Sequence, residues 1–329
     1  NLVSLARETL GRFGSLITWL IYLFFFYTLT IAYVVGTQNF LSHLIGHDIS
    51  PWFSGIIFLL IFVPIIYLGA RAVEGVNNIF MLGLIVSYLI LVGLGIKHIE
   101  LDRLLQGNLK YSMMAFPVIF TAFGYQGIVP SLTFYLKKNA NVLRLTILIG
   151  SFIPFFVYVL WEALILGMVP GDLLQLAYQK GQSAIYPFQN IVQMKKIAII
   201  GQSFGFFALA SSLLGVTLGL RDFLADGLRI KKNHWGRLFL CGLIFLPPLF
   251  LAIAFPNIFL LALNLAGGIG SCFLLGLLPI LMAWSKRYVK KAESTTYQVW
   301  GGRAYLSVLF LFGFFEIVSV TTYSLGWWK

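Results

Sequence analysis

Apolar residues along this chain come in blocks about 20 long, the length a helix needs to cross a hydrocarbon core of roughly 30 Å. Short stretches holding charges, Gly, Pro and Asn separate the blocks. Reading each block to the charge or turn that stops it predicts nine spans, at about 13–40, 52–70, 76–96, 112–136, 143–168, 197–220, 238–255, 258–284 and 304–326. The seventh and eighth are expected to form a hairpin at Pro256 and Asn257. The segment 170–196, with LLQLAYQ in it, is expected to form short helices over one mouth of the bundle. The pattern thus predicts an all-α membrane protein, a multi-span helical bundle forming one transmembrane domain over 1–329.

Composition agrees with that reading. Residues of the class AVILMFWYC make up 59% of the chain and charged residues 10%, against roughly 25% charged in soluble proteins. The net charge of +12 does not point to nucleic acid, because the cations sit in short clusters between apolar blocks and line no amphipathic face. Sorted onto alternate sides of the nine spans, sixteen of the 23 Lys and Arg fall on one side, in the clusters at 7–12, 71, 137–144, 221–237 and 286–303. Cytoplasmic loops carry the excess of Lys and Arg, so residue 1 is expected in the cytoplasm and the C-terminus outside. Cys241 and Cys272 both lie in apolar runs, where a thiol acts as a small buried hydrophobe, and no disulfide framework is expected. The chain opens at Asn1 with a polar amphipathic stretch rather than a signal-peptide pattern, and reads as a fragment or a processed form.

The fourth span carries the strongest chemical signal. In FPVIFTAFGYQGIVPSLTFYL, Gly124 and Gly127 flank Tyr125 and Gln126 near mid-membrane, and Pro130 has no N–H for the Gln126 carbonyl and clashes with it. A break from Phe123 to Gly127 is expected. It would set the carbonyl end of one half-helix near the amide end of the next, opposite partial charges suited to a zwitterion. An ammonium would lie near the carbonyls of Ala122 and Phe123 and a carboxylate near the amides after Gly127. The competing reading is a packing kink, since Gly and Pro are tolerated in membrane helices.

Other spans hold weaker signals. Tyr27, Thr30 and Tyr33 repeat every three residues on one stripe of the first span, either as packing contacts or as a binding wall. Ser211 and Ser212 sit mid-way along the sixth span, where such hydroxyls bind a cation or polar substrate or bond back to their own helix. Gly201, Gly205, Gly215 and Gly219 give that span the small-residue spacing of close helix packing. Glu162 and Glu316 are the acids within spans, and an intramembrane carboxylate is a candidate for ion coupling. His43, His47, His98 and His234 all fall in loops without a third ligand, so no metal site and no cofactor is expected. Neither a P-loop nor a nucleophile elbow occurs.

Four stretches together resemble the hydroxy and aromatic amino acid permeases, in particular their tyrosine- and tryptophan-specific branch. They are LARETLGRFG followed by YTLTIAYVVG; FPVIFTAFGYQGIVPSLTFYL; SSLLGVTLGLRDFLADGL; and FLPPLFLAIAFPNIFLLALNLAGGIG. The resemblance implies an inner-membrane proton symporter, with sodium as the alternative ion, in the 5+5 inverted-repeat fold of the amino acid, polyamine and organocation transporters. It also implies that the chain starts after the family's first two helices, its nine spans being helices 3 to 11.

By the same resemblance, Phe123, Gly124, Tyr125, Gln126 and Gly127 form the second broken helix of the substrate cradle. Tyr27 and Thr30 would come from helix 3 and Ser211 and Ser212 from helix 8. Asp222 and Asp226, in RDFLADGL, would gate the inner end by pairing with Arg221 or Arg229, or else form a solvated loop. The implied partners are an aromatic amino acid, a proton and membrane lipid. Two rivals stay open at this stage, a membrane-embedded enzyme using the loop histidines and an inactive truncated permease, while a passive channel would need a continuous polar stripe through several spans that the sequence lacks.

Overall fold

A computed structural model of the chain describes residues 2–45, 50–105, 115, 118–119, 122–125, 129–137, 139–180, 184–185, 187–188, 195–290 and 301–324. The principal helices among them are α1 (Leu2–Ile45), α2 (Pro51–Leu68), α3 (Ala70–Gly95), α4 (Val129–Tyr135), α5 (Ala140–Met168), α6 (Gly171–Gln179), α7 (Lys195–Gly227), α8 (His234–Ala254), α9 (Phe259–Val289) and α10 (Gly302–Ser324). Seven helical stretches among the described residues are long and apolar enough to cross a membrane: Val3–Gln38, Ala70–His98, Ala140–Met168, Ile199–Gly227, His234–Ala254, Phe259–Val289 and Gly302–Ser319. Trp52–Leu68 is also apolar but shorter. The chain is therefore a multi-span helical membrane protein.

Local chemistry sets the helix ends. Ser50 caps α2 by accepting from the Phe53 N–H, with Pro51 at the first helical position, where its missing N–H costs nothing. Asn139 accepts from the Asn141 and Val142 N–H groups at the start of α5, and Asn233 from Gly236 at the start of α8. The amphipathic opening does not run smoothly into the first span. Gly11, at φ 79° and ψ −166°, kinks α1 just before the apolar stretch begins. The hairpin at Pro256 and Asn257 lies in the turn between α8 and α9, and LLQLAYQ lies within α6.

The chain falls into two compact units. The larger holds Phe26–Gly107 and Tyr158–Leu263. Its core is built from one face each of α1 (Leu29, Ala32, Val35), α2 (Phe58, Phe62, Ile66), α7 (Leu213, Leu214, Leu220) and α8 (Leu240, Ile244, Phe245). Close approach along α7 follows the glycine spacing at three of its four positions: Gly201 faces the Phe188 ring, Gly205 the Ile185 side chain and Gly219 the Phe26 ring. Gly215 faces open space.

α7 ends in a Schellman-type closure, with the Ile230 N–H reaching the Ala225 carbonyl at 2.9 Å. The residue that must turn left-handed there is Arg229, at φ 56°, a position normally given to Gly. Arg229→Gly is expected to raise stability by up to about 1 kcal/mol, read from thermal unfolding in detergent.

The smaller unit holds Asn1–Phe25, Asn108–Val157 and Asn264–Lys329. Here Ala6, Leu274 and Leu278 form a buried cluster with Tyr22, Phe25 and Phe273 packed against it. Gly270 leaves room for Phe25, whose Cδ2 a Cβ at that position would meet at 2.6 Å. Within α9, Ala266–Leu277 is wound as a π-helix, a form often found at functional positions.

Candidate functional site

The interruption expected in FGYQG is present among its described residues. The Phe123 N–H still makes a helical bond to the Ile119 carbonyl at 3.0 Å, but the Tyr125 N–H bonds to the Phe123 carbonyl two residues back, at 2.9 Å. That bond closes a γ-turn, which no helix continues. Phe123 is in a turn, Gly124 and Tyr125 are non-helical, and α4 holds Val129–Tyr135. Gln126 and Gly127 lie outside the described residues.

The side chain of Tyr125 ties this break to α5. Its hydroxyl lies 2.6 Å from Ser151 Oγ, and Ser151 in turn donates to the Ile147 carbonyl at 2.8 Å. With the serine proton spent on its own helix, the tyrosine is left as donor. A two-bond chain thus holds the non-helical segment to a rigid neighbour, and Ser151 is a partner that sequence spacing did not single out. Gly124 is exposed.

In the larger unit the candidate hydroxyls have protein partners. Tyr27 donates to the Leu243 carbonyl of α8 at 2.8 Å. That carbonyl needs an outside donor because its helical partner four residues on would be Pro247, which has no N–H. Thr30 bonds back to the Phe26 carbonyl at 2.7 Å and Ser211 to the Ala208 carbonyl at 3.2 Å. Ser212 forms a side-chain hydrogen bond with Tyr33, the third member of the α1 stripe. The stripe therefore faces protein, as an aromatic hydroxyl in a bilayer requires. Tyr27→Phe is expected to cost about 1–2 kcal/mol of stability by leaving the Leu243 carbonyl without a donor, measured by unfolding in detergent.

The two intramembrane acids differ sharply. Glu162 is exposed on α5, whereas Glu316 is 1% exposed and neither of its carboxylate oxygens has a hydrogen-bond partner among the described residues. Asp222 binds two cations through one oxygen, Arg221 Nη2 at 3.1 Å and Lys232 Nζ at 2.9 Å. Asp226 is exposed and takes part in no ion pair among the described residues. His234 Nδ1 lies 2.6 Å from the Tyr67 hydroxyl and His98 Nδ1 lies 3.1 Å from the Leu94 carbonyl. His47 and the side chain of His43 lie outside the described residues. Among the described residues no three His, Cys, Asp or Glu side chains gather as a metal site.

Comparison with known proteins places these features in a context. The sequence matches the model of the tryptophan/tyrosine permease family over residues 1–320. It is 30% identical over 316 residues to the tyrosine-specific transport system 1 of Haemophilus influenzae, an alignment that covers 94% of this chain and 78% of that protein. To the tryptophan-specific transport protein of Pseudomonas aeruginosa it is 29% identical over 342 residues, covering 98% of this chain and 80% of the relative. The low affinity tryptophan permease of Escherichia coli is 28% identical over 327 residues, with 94% and 78% covered.

Proposed function

We propose that this chain, which belongs to the tryptophan/tyrosine permease family and is a transporter rather than an enzyme, carries tyrosine or tryptophan across a bacterial inner membrane together with a proton, by alternating access. The observation that carries the reading is the non-helical segment at Phe123–Tyr125, within the apolar stretch expected from the sequence as the fourth span. Irregular main chain at membrane depth is tolerated where it lines protein or a water-filled path, not where it faces lipid. Phe123, Gly124, Tyr125, Gln126 and Gly127 are then the residues that receive the charged end of the amino acid, through main-chain dipoles rather than ionised side chains.

Tyr27, Thr30, Ser211 and Ser212 enter with a restriction. The protons of the first three are committed within their own unit. Toward a substrate those three act as acceptors, a role suited to an indole N–H or a phenol O–H. The coupling proton is assigned to an intramembrane carboxylate, for which Glu162 and Glu316 are the candidates. Asp222 and Asp226 are the candidate inner gate. The reading includes the 5+5 inverted-repeat fold with nine spans, residue 1 in the cytoplasm and the C-terminus outside.

Uptake of labelled tyrosine and tryptophan into proteoliposomes, with and without an imposed pH gradient, tests the proposal. Accumulation of either amino acid that grows with an inward proton gradient is expected. Uptake driven by sodium alone would reassign the ion, and no uptake of either amino acid would remove the function.

A further inference from the structure

In the smaller unit, α9 and α10 pack as an antiparallel pair, and two contacts fix their register. Arg303 stacks on the Tyr288 ring, 4.7 Å from its centroid. Gly313 lies against Leu277, with a Cβ there 3.0 Å from Leu277 Cδ2, and Glu316 stands within electrostatic reach of Cys272. As residue numbers rise on α10 they fall on α9, so Glu316 is level with the π-helical stretch Ala266–Leu277 near Cys272. The next residue on that stretch is Ser271, which is fully buried and whose hydroxyl also has no partner among the described residues. Unpartnered buried polar side chains of this unit therefore lie at about the same level of one helix pair.

The main chain there is short of a donor as well. The Leu278 N–H reaches back five residues to the Phe273 carbonyl, and Pro279 has no N–H to give. The helical donors for the Leu274 carbonyl would be Leu278 or Pro279, and neither serves it. Across this interface the titratable group beside Glu316 is the Cys272 thiol, and among the described residues no Lys, Arg or His pairs with the carboxylate.

A carboxylate this enclosed, with neither a cation nor an N–H or O–H donor, is not held in its ionised form by anything around it. A carboxyl group that carries a proton is neutral, and it has a hydroxyl to donate to a carbonyl or serine oxygen at its own level. We infer that Glu316 is the residue that carries the coupling proton, in a dry site formed by α10 and the π-helical stretch of α9, with Ser271 as its polar neighbour. In this cycle a proton binds one carboxylate oxygen from one side of the membrane and leaves the same oxygen toward the other. Glu162 is solvent-accessible on α5, whereas Glu316 is 1% exposed. The inference rests on the proposed symport and selects between its two candidate acids.

The test uses the full-length protein in proteoliposomes. Wild type is expected to accumulate labelled tyrosine or tryptophan under an inward proton gradient. Glu316→Gln, which mimics the protonated form, is expected to exchange the same amino acid across the membrane but to accumulate none. Accumulation by Glu316→Gln at the wild-type level under the proton gradient overturns the assignment. If Glu316→Gln does not fold, Glu316→Asp decides: retained coupling with a shifted pH profile of uptake supports it, and an unshifted profile overturns it. Failure of the wild type to exchange either amino acid is a separate outcome, which removes the proposed function and this inference with it.

Discussion

Gly124→Leu is expected to cut uptake of labelled tyrosine or tryptophan by more than about tenfold while thermal stability stays the same or rises. Two effects add. Leucine favours helix over glycine by about 0.8–1 kcal/mol, which biases the segment toward closing the interruption and is worth about fivefold by itself. Its side chain also covers main chain that is now exposed at Gly124. Alanine at the same position should give only the first effect, a loss of about fivefold or less. Equilibrium binding of the amino acid to detergent-solubilised protein separates affinity from turnover, and unfolding curves on the same samples report stability. A Gly124→Leu protein that binds and transports normally would leave the interruption as a packing kink. One that unfolds would mean the segment is needed for the fold rather than for the ligand.

The interruption was legible because its cause is local. Two glycines remove the steric preference for helix, and Pro130 removes a donor, all within seven positions of one span. That the chain is a multi-span helical membrane protein was legible for the same reason, since the length of an apolar block is a local property of the sequence. The role of Tyr27 was not. Its hydroxyl serves a carbonyl that Pro247 leaves without a donor, on a helix 216 residues further along, and no periodicity within α1 records that need. The Tyr33–Ser212 pair is hidden in the same way, because each residue reads alone as an ordinary polar group in an apolar helix. The π-winding of Ala266–Leu277 has only Gly267, Gly268, Gly270 and Gly276 as a local trace, and glycines elsewhere in the chain accompany plain α-helix.

RDFLADGL shows a sequence signal with more partners in the fold than its own stretch names. Read alone, Asp222 is an acid beside two arginines at a helix end, which suggests a gate. In the fold its neighbour Arg221 is the buried member, at 7% exposure, and that guanidinium reaches away from the loop to the end of α2. The helix α2 stops at Leu68, and Gly69 turns the chain at φ 100° directly into α3. The Ile66 carbonyl belongs to the last turn of α2, where no helical N–H follows to serve it. Arg221 Nη1 supplies that bond at 2.9 Å, and the turn has room for it because Gly69 has no Cβ, which would sit 3.1 Å from the same nitrogen.

Arg221→Met is therefore expected to cost about 2–3 kcal/mol of stability, with substrate affinity of the folded fraction unchanged. Methionine keeps most of the apolar stem, so the loss isolates the guanidinium. The larger part comes from the Ile66 carbonyl, left buried without a donor. The ion pair with Asp222 adds little, since that carboxylate is 47% exposed and keeps Lys232 at 2.9 Å. Arg221→Lys should recover only part of the loss, because a single ammonium cannot span the carbonyl and the carboxylate as the planar fork does. Asp222→Asn separates cap from gate in the same assays. If Arg221 acts as a cap, Asp222→Asn costs less than about 1 kcal/mol and leaves the stability effect of Arg221→Met nearly intact when the two are combined. If Arg221→Met instead keeps full stability and loses transport, the guanidinium belongs to the gate, and the link from α7 to the turn between α2 and α3 is not what holds this end of the unit together.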